Sequence, residues 1–151
     1  SSIKNYRVQE GKSLERVFRD RIEDIRNLLI AIEPYEAGRV EKIKAKLEEN
    51  LQNISEKFDY DKNRLEQELI FYIEKLDVNE EKVRLRAHLD YFVQIMETES
   101  SPGKKLGFIA QEMGREINTL GSKSNHSEMQ KIVVLMKDNL EQIKEQVLNI
   151  L

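Results

Sequence analysis

Cysteine is absent from the 151 residues of this chain, which excludes disulfides, thiolate catalysis and cysteine-bound zinc. Tryptophan is absent too, and aromatic residues reach only 7%, so no broad platform for stacking bases is evident. No apolar run approaches the roughly 18 residues that span a bilayer, and no signal peptide stands at the start. Positive charge is not in excess: the formal net charge is −3, and the middle third holds 7 basic against 12 acidic residues. A typical duplex-binding domain is strongly basic. Contact with nucleic acid would therefore need a local patch, or a surface assembled from several chains. These absences fit a cytoplasmic protein that does not enter a membrane.

What is present is the material of amphipathic helices: 35% charged and 39% hydrophobic residues. Ser1 and Ser2 open the chain, and Ile3 to Glu10 alternate poorly for helix or strand. Residues 1–12 therefore read as a connector from a missing N-terminal domain, and residues 13–151 as one helical domain. Six helices can be drawn. Ser13–Ile32 carries apolar residues at helical spacing, and Pro34 is expected to stop it, since proline lacks an amide proton. Tyr35–Ile54 follows, with Val40, Ile43, Leu47, Leu51 and Ile54 as its apolar stripe. A loop through Asp59 and Asp61 leads to Lys62–Leu76. Asp77 and Asn79 would cap Glu80–Thr98, whose apolar positions include Val83, Leu85, Leu89, Phe92 and Met96. Pro102 suits the first turn of a fifth helix, and Ser127 starts a sixth. No strand has a strong claim. The expected fold is all-α, with long antiparallel helices in a bundle or coiled-coil hairpin.

The last two helices share a register. Leu106, Ile109, Met113, Ile117 and Leu120 run in steps of 3, 4, 4 and 3, and so do Met129, Ile132, Met136, Leu140 and Ile143. The two sets mirror each other about a point between Ser124 and Asn125, which predicts an antiparallel hairpin with facing apolar layers. The doubled step of four should relax supercoiling at one layer. Val147 and Ile150 need a further cover, for which the fourth helix is the natural candidate. Gly114 and Gly121, one heptad apart, either permit close helix approach or simply weaken the helix.

The polar side of the fifth helix is chemically mixed. Gln111, Glu112, Arg115, Glu116, Asn118, Thr119, Ser122 and Lys123 form two adjoining stripes. Such a mixture suits a metal, a phosphate or a partner. Glu112 and Glu116, at i and i+4, could share a hard divalent cation. The plainer alternative pairs Glu112 with Arg115 and leaves Glu116 as a cap or a solvated charge. On the fourth helix, Glu81, Arg84, His88 and Tyr91 make one stripe, and His88 could move protons near neutral pH or simply pack beside Leu85 and Leu89. His126 reads as a helix-end residue. Lys104, Lys105, Arg115 and Lys123 could grip phosphates, or be scattered solvated charge. No phosphate loop, nucleophile elbow or histidine-rich zinc pattern occurs.

Several segments together resemble the C-terminal portion of the bacterial YicC-like family. They include Gly103-Lys104-Lys105-Leu106, Gln111-Glu112-Met113, Arg115-Glu116-Ile117-Asn118-Thr119 and Ser122-Lys123-Ser124. Asn63 to Glu68, Asp77 to Glu81 with Arg84, Leu85 and His88, Glu141 to Ile150, and Glu10-Gly11 with Leu14 are similar too. The resemblance implies an endoribonuclease with a preceding N-terminal domain, assembled into ring-like homo-oligomers (hexamers), that cuts RNA with a divalent metal such as Mn or Mg. On that reading Glu112, Glu116 and His88 are catalytic. Glu112 and Glu116, joined by Glu68 or Glu81, hold the metal. Arg84, Lys104, Lys105, Arg115, Asn118 and Lys123 contact RNA. The alternative is a non-catalytic scaffold that captures RNA or oligomerises for the missing domain. The family pattern carries Asp where Gly107 stands and Asn where Gly114 stands, so a ligand or RNA contact would be lost at those positions.

Overall fold

A computed structural model describes residues 2–56, 61–124 and 126–151, with residues 2–10 described by backbone alone. Asp59 and Asn125, expected in a loop and at a bend, lie outside the described residues. The element order is α1 (Ser2–Glu36), α2 (Arg39–Ser55), α3 (Lys62–Leu76), α4 (Asn79–Thr98), α5 (Gly103–Lys123) and α6 (Ser127–Ile150). The described residues contain no strand.

Four of these helices close a ring. α1 packs on α6 and α4, and α5 packs on α4 and α6, so neighbours run antiparallel in an up-down-up-down bundle. The buried stripes explain the closure. Phe18, Ile22, Ile25, Leu29 and Ile32 of α1 alternate steps of four and three, as do Leu85, Leu89 and Phe92 of α4. Phe18 and Phe92 meet edge to face, with ring centroids 5.4 Å apart. Each fully buried side chain of this kind contributes about 1.5–3 kcal/mol. α2 and α3 pair with each other as a hairpin between α1 and α4. Its apolar stripes are only half-buried, through Val40, Ile43, Leu47 and Leu51 on one helix and Leu65, Leu69, Ile73 and Leu76 on the other. Asp61 caps α3 by accepting from the Arg64 amide at 3.3 Å.

Several expectations need correction. α1 begins at Ser2, so the stretch read as an irregular connector is helical. Pro34 lies inside α1 and not beyond its end. The carbonyl it leaves unpaired belongs to the turn of Ile30, which is 63% exposed, so solvent can satisfy it. α2 starts at Arg39, after Gly38 makes the turn with a left-handed φ of 76°. Ile54 and Val83 are exposed instead of core-facing. α1, and not α4, covers α6. That changes the buried stripe of α6: Val133 is buried and Ile132 only partly so. Met129, Val133, Met136, Leu140, Ile143 and Val147 then alternate fours and threes, as do Leu106, Ala110, Met113, Ile117 and Leu120. On α5, however, Ile109 is buried as expected, with Ala110 beside it, so the doubled step is lost from α6 alone.

Glycines set the α5–α6 approach. A Cβ at Gly107 would lie 3.5 Å from Val147 Cγ1, at Gly114 3.2 Å from Leu140 Cδ2, and at Gly121 3.1 Å from Val133 Cγ1. Each step along α5 is matched by an equal step back along α6. Gly107→Ala should stabilise the chain by about 1 kcal/mol, since helix propensity improves without a clash. Gly121→Ala should bring no gain or a loss, because the β-branched Val133 cannot swing aside. Urea denaturation of the two variants separates these outcomes.

Candidate functional site

Arg39, Glu81, Lys82, Glu116 and Ser124 are the buried polar side chains among the described residues, and all belong to one half of the bundle. In that half α1, α3 and α5 end, and α2, α4 and α6 begin. Helix polarity accounts for part of the charge: Glu80 and Glu81 stand in the positive first turn of α4, and Lys123 in the negative last turn of α5. Antiparallel packing joins those ends. Lys123 Nζ donates to Glu81 Oε1 at 2.9 Å and to the Asp77 carbonyl at 3.1 Å.

Next along the seam, Arg84 Nε donates to Glu116 Oε1 across α4 and α5 at 3.0 Å. Arg84 Nη1 lies 3.3 Å from Glu80, and Nη2 lies 3.7 Å from Glu81. The hydrogen bond to Glu116, then its charge, raise the Arg84 pKa above the ordinary arginine value. Continuing the antiparallel register one turn along each helix sets His88 opposite Glu112. Both are half-buried. The two polar stripes of α5 separate as their spacing predicts. Gln111, Arg115, Asn118 and Ser122 form an exposed outer face, whereas Glu112, Glu116, Thr119 and Lys123 are shielded, with Glu116 and Lys123 reaching α4.

Glu112 also pairs with exposed Arg115 at 3.7 Å, as the plainer reading held, whereas Glu116, which that reading left as a cap or solvated charge, is buried against Arg84. Other candidates are not brought to this seam. Lys104 and Lys105 sit at the start of α5, about 27–30 Å along the helix from Lys123. Lys105 donates to Glu99 at 2.8 Å, a bond that raises its pKa. Glu68 is exposed on α3 beside Arg64, about 12 Å along the helix from its end at Leu76. His126 is indeed a helix end: its Nδ1 accepts from the Glu128 amide at 3.1 Å. Gly107 and Gly114 face α6, so a polar side chain there would point away from Glu81 and Glu116.

Among the described residues, no three His, Cys, Asp or Glu side chains gather closely enough to hold a metal ion. Glu116 and Glu81 instead receive Arg84 and Lys123, which stand where a divalent cation would need room. A hard cation takes about six or more oxygens. The carboxylates, as placed, do not fit one. Glu81 also leaves Oε2 buried without a hydrogen-bond partner. Lys123→Met should therefore cost about 1–3 kcal/mol, by stranding the second Glu81 oxygen as well, and Lys123→Arg should recover most of it. Equilibrium urea unfolding measures both.

Two residues of this end escaped the sequence reading. Arg39 Nη2 donates to the carbonyls of Leu76 at 2.6 Å and Lys123 at 3.2 Å, and its Nε donates to Glu36 at 3.3 Å. One guanidinium thus joins the C-terminal ends of α1, α3 and α5. Lys82 interrupts the apolar row of Val78, Leu85 and Leu89, and its Nζ lies 2.7 Å from Glu33 of α1. That interruption was a legible signal. For Arg39 the sequence offered only the glycine before it.

The fold and site define an antiparallel helical bundle with a charged end and a polar α4–α5 seam. Residues 32–151 match the family described as endoribonuclease YicC-like, C-terminal, and the chain belongs to that family. It is 38% identical over 152 aligned positions to a "Probable endoribonuclease YicC" of Clostridioides difficile (strain 630), covering 98% of this chain and 51% of that protein. A protein of the same name from Haemophilus influenzae is 30% identical over 153 positions, covering 95% of this chain and 50% of its own length. The chain spans about half the length of these relatives.

Proposed function

We propose that this chain is the RNA-cleaving part of a YicC-like endoribonuclease, and that the α4–α5 seam holds the phosphodiester that is cut. The observation that carries the reading is the Arg84–Glu116 pair crossing the seam, one turn from the facing positions of His88 and Glu112. Arg84 offsets charge as it builds on the phosphate. The imidazole of His88 takes the proton of the attacking oxygen as that oxygen bonds to phosphorus, Glu112 steadies the imidazolium that forms, and the leaving oxygen takes a proton from water as its bond to phosphorus breaks. Arg115, Asn118 and Lys123 hold flanking phosphates. Glu116 keeps Arg84 in place. Lys104 and Lys105 meet the same strand farther along α5.

Dependence on Mn or Mg belongs to the complete protein, with donors from outside this chain's own cluster. Homo-oligomers (hexamers) would enclose the RNA in a shared channel and so offset the chain's negative charge. A cytoplasmic place of action goes with such a substrate. The test incubates the complete protein with labelled single-stranded RNA, with and without chelator. Wild type should cut, and Glu112→Ala should cut far more slowly; equal rates remove Glu112 from the chemistry.

A second reading, the non-catalytic scaffold, is favoured by Ile70, Phe71 and Tyr72 of α3, which are 57%, 60% and 49% exposed. Light scattering distinguishes the two in part. A rigid oligomer that neither binds nor cuts RNA supports the scaffold.

A further inference from the structure

The cleft between the end of α1, the start of α2 and the start of α6 has a chemistry that the seam does not use. It encloses about 450 Å³ and is lined by Pro34, Tyr35, Arg39, Lys42, Ile43 and His126, among others. That volume lies within the range of small-ligand sites. Tyr35 and His126 bring their rings together with centroids 5.1 Å apart and planes tilted by 38°. Both residues are exposed, so the pair is not a core contact. The rings already touch, which leaves the outer face of Tyr35, and not the gap between them, for a third ring.

The polar groups around the rings suit an anion. Because His126 Nδ1 accepts from the Glu128 amide, the neutral imidazole carries its proton on Nε2. Lys42 is exposed and has no ion pair among the described residues. Arg39 is 7% exposed, and its Nη1 is buried without a hydrogen-bond partner. Glu36 is the carboxylate bonded to Arg39, and it engages Nε, not Nη1.

We propose that this cleft is a second nucleotide-binding subsite, one that takes a base on the face of Tyr35 and the attached phosphate against Lys42 and His126. The proposal rests on RNA being the substrate, and extends it by adding an anchor for a single strand away from the cut. Stacking is tolerant of base identity, so the subsite selects single-stranded RNA and not a sequence.

The test uses the 151-residue chain and a short fluorescent oligouridylate, titrated at two salt concentrations. Tyr35→Ala should weaken binding roughly 5- to 160-fold, the range of one lost stack. Tyr35→Phe should bind like wild type, which controls for folding. Lys42→Ala should weaken binding and flatten the salt dependence by about one phosphate contact. The His126 imidazole resonance should move when RNA is added, and inorganic phosphate alone should move it less. RNA binding that is unchanged in Tyr35→Ala and Lys42→Ala, with His126 unmoved, overturns the subsite while leaving RNA as substrate intact. No RNA binding by the wild-type chain overturns both.

Discussion

Replacing His88 with alanine in the complete protein is expected to slow RNA cleavage by roughly 10²–10⁴-fold, the usual contribution of a positioned proton-transfer group. The physical basis is placement. His88 follows Arg84 by one turn of α4, and Arg84 is tied to Glu116 of α5, which sets the His88 position one turn from the crossing pair. The variant should remain folded, because His88 is only half-buried and makes no side-chain hydrogen bond among the described residues. Single-turnover cleavage measured beside a thermal melt tests both halves of this statement. A full rate in a folded His88→Ala protein would remove histidine from the chemistry and leave His88 as a packing residue.

Arg39→Met is expected to cost about 3–5 kcal/mol, the range found when one partner of a buried charged network is removed. Methionine fills the space but offers no donor. The carbonyls of Leu76 and Lys123 and the carboxylate of Glu36 would then lose their shared guanidinium. For a chain of this size the melting temperature should fall by roughly 10 °C. The loss should be felt first in α2 and α3. Neither helix buries an apolar side chain fully, so the hairpin relies on its attachment to the bundle. Hydrogen exchange should quicken in α2 and α3 before it does in α5. A melt shifted by only a degree or two, with uniform exchange, would mean that Arg39 is not what fixes the hairpin.

The sequence carried the helices well wherever an apolar stripe faced a single partner. The stripe Leu106, Ile109, Met113, Ile117, Leu120 and the end-capping role of His126 were both legible, because they depend on spacing and local chemistry. The exchange of Ile132 for Val133 was not. It follows from α6 lying between α5 and α1, which turns its buried side toward the centre of four helices instead of toward one. Start and stop signals failed in the same way. Pro34 ends a helix only if the freed carbonyl has no other partner, and exposure of that turn supplies one.

At the site, the sequence placed Arg84, Glu81, Glu116 and Lys123 on the right faces but not in contact. Their pairing depends on α4 and α5 running antiparallel at one particular register. That register turned two expected metal ligands into partners of arginine and lysine. Lys104, Lys105 and Glu68 were grouped with them by charge alone, and helix length keeps them apart.

The central claim is that RNA meets this chain at the α4–α5 seam. The most direct measurement is an NMR titration of the isotope-labelled chain with an uncleavable single-stranded RNA, following the Arg84 Nε–H and the His88 imidazole. Arg84 already bonds Glu116 through that N–H, so its signal should be visible without ligand and should shift, together with His88, as RNA is added. RNA that binds while both signals stay in place would contradict the claim.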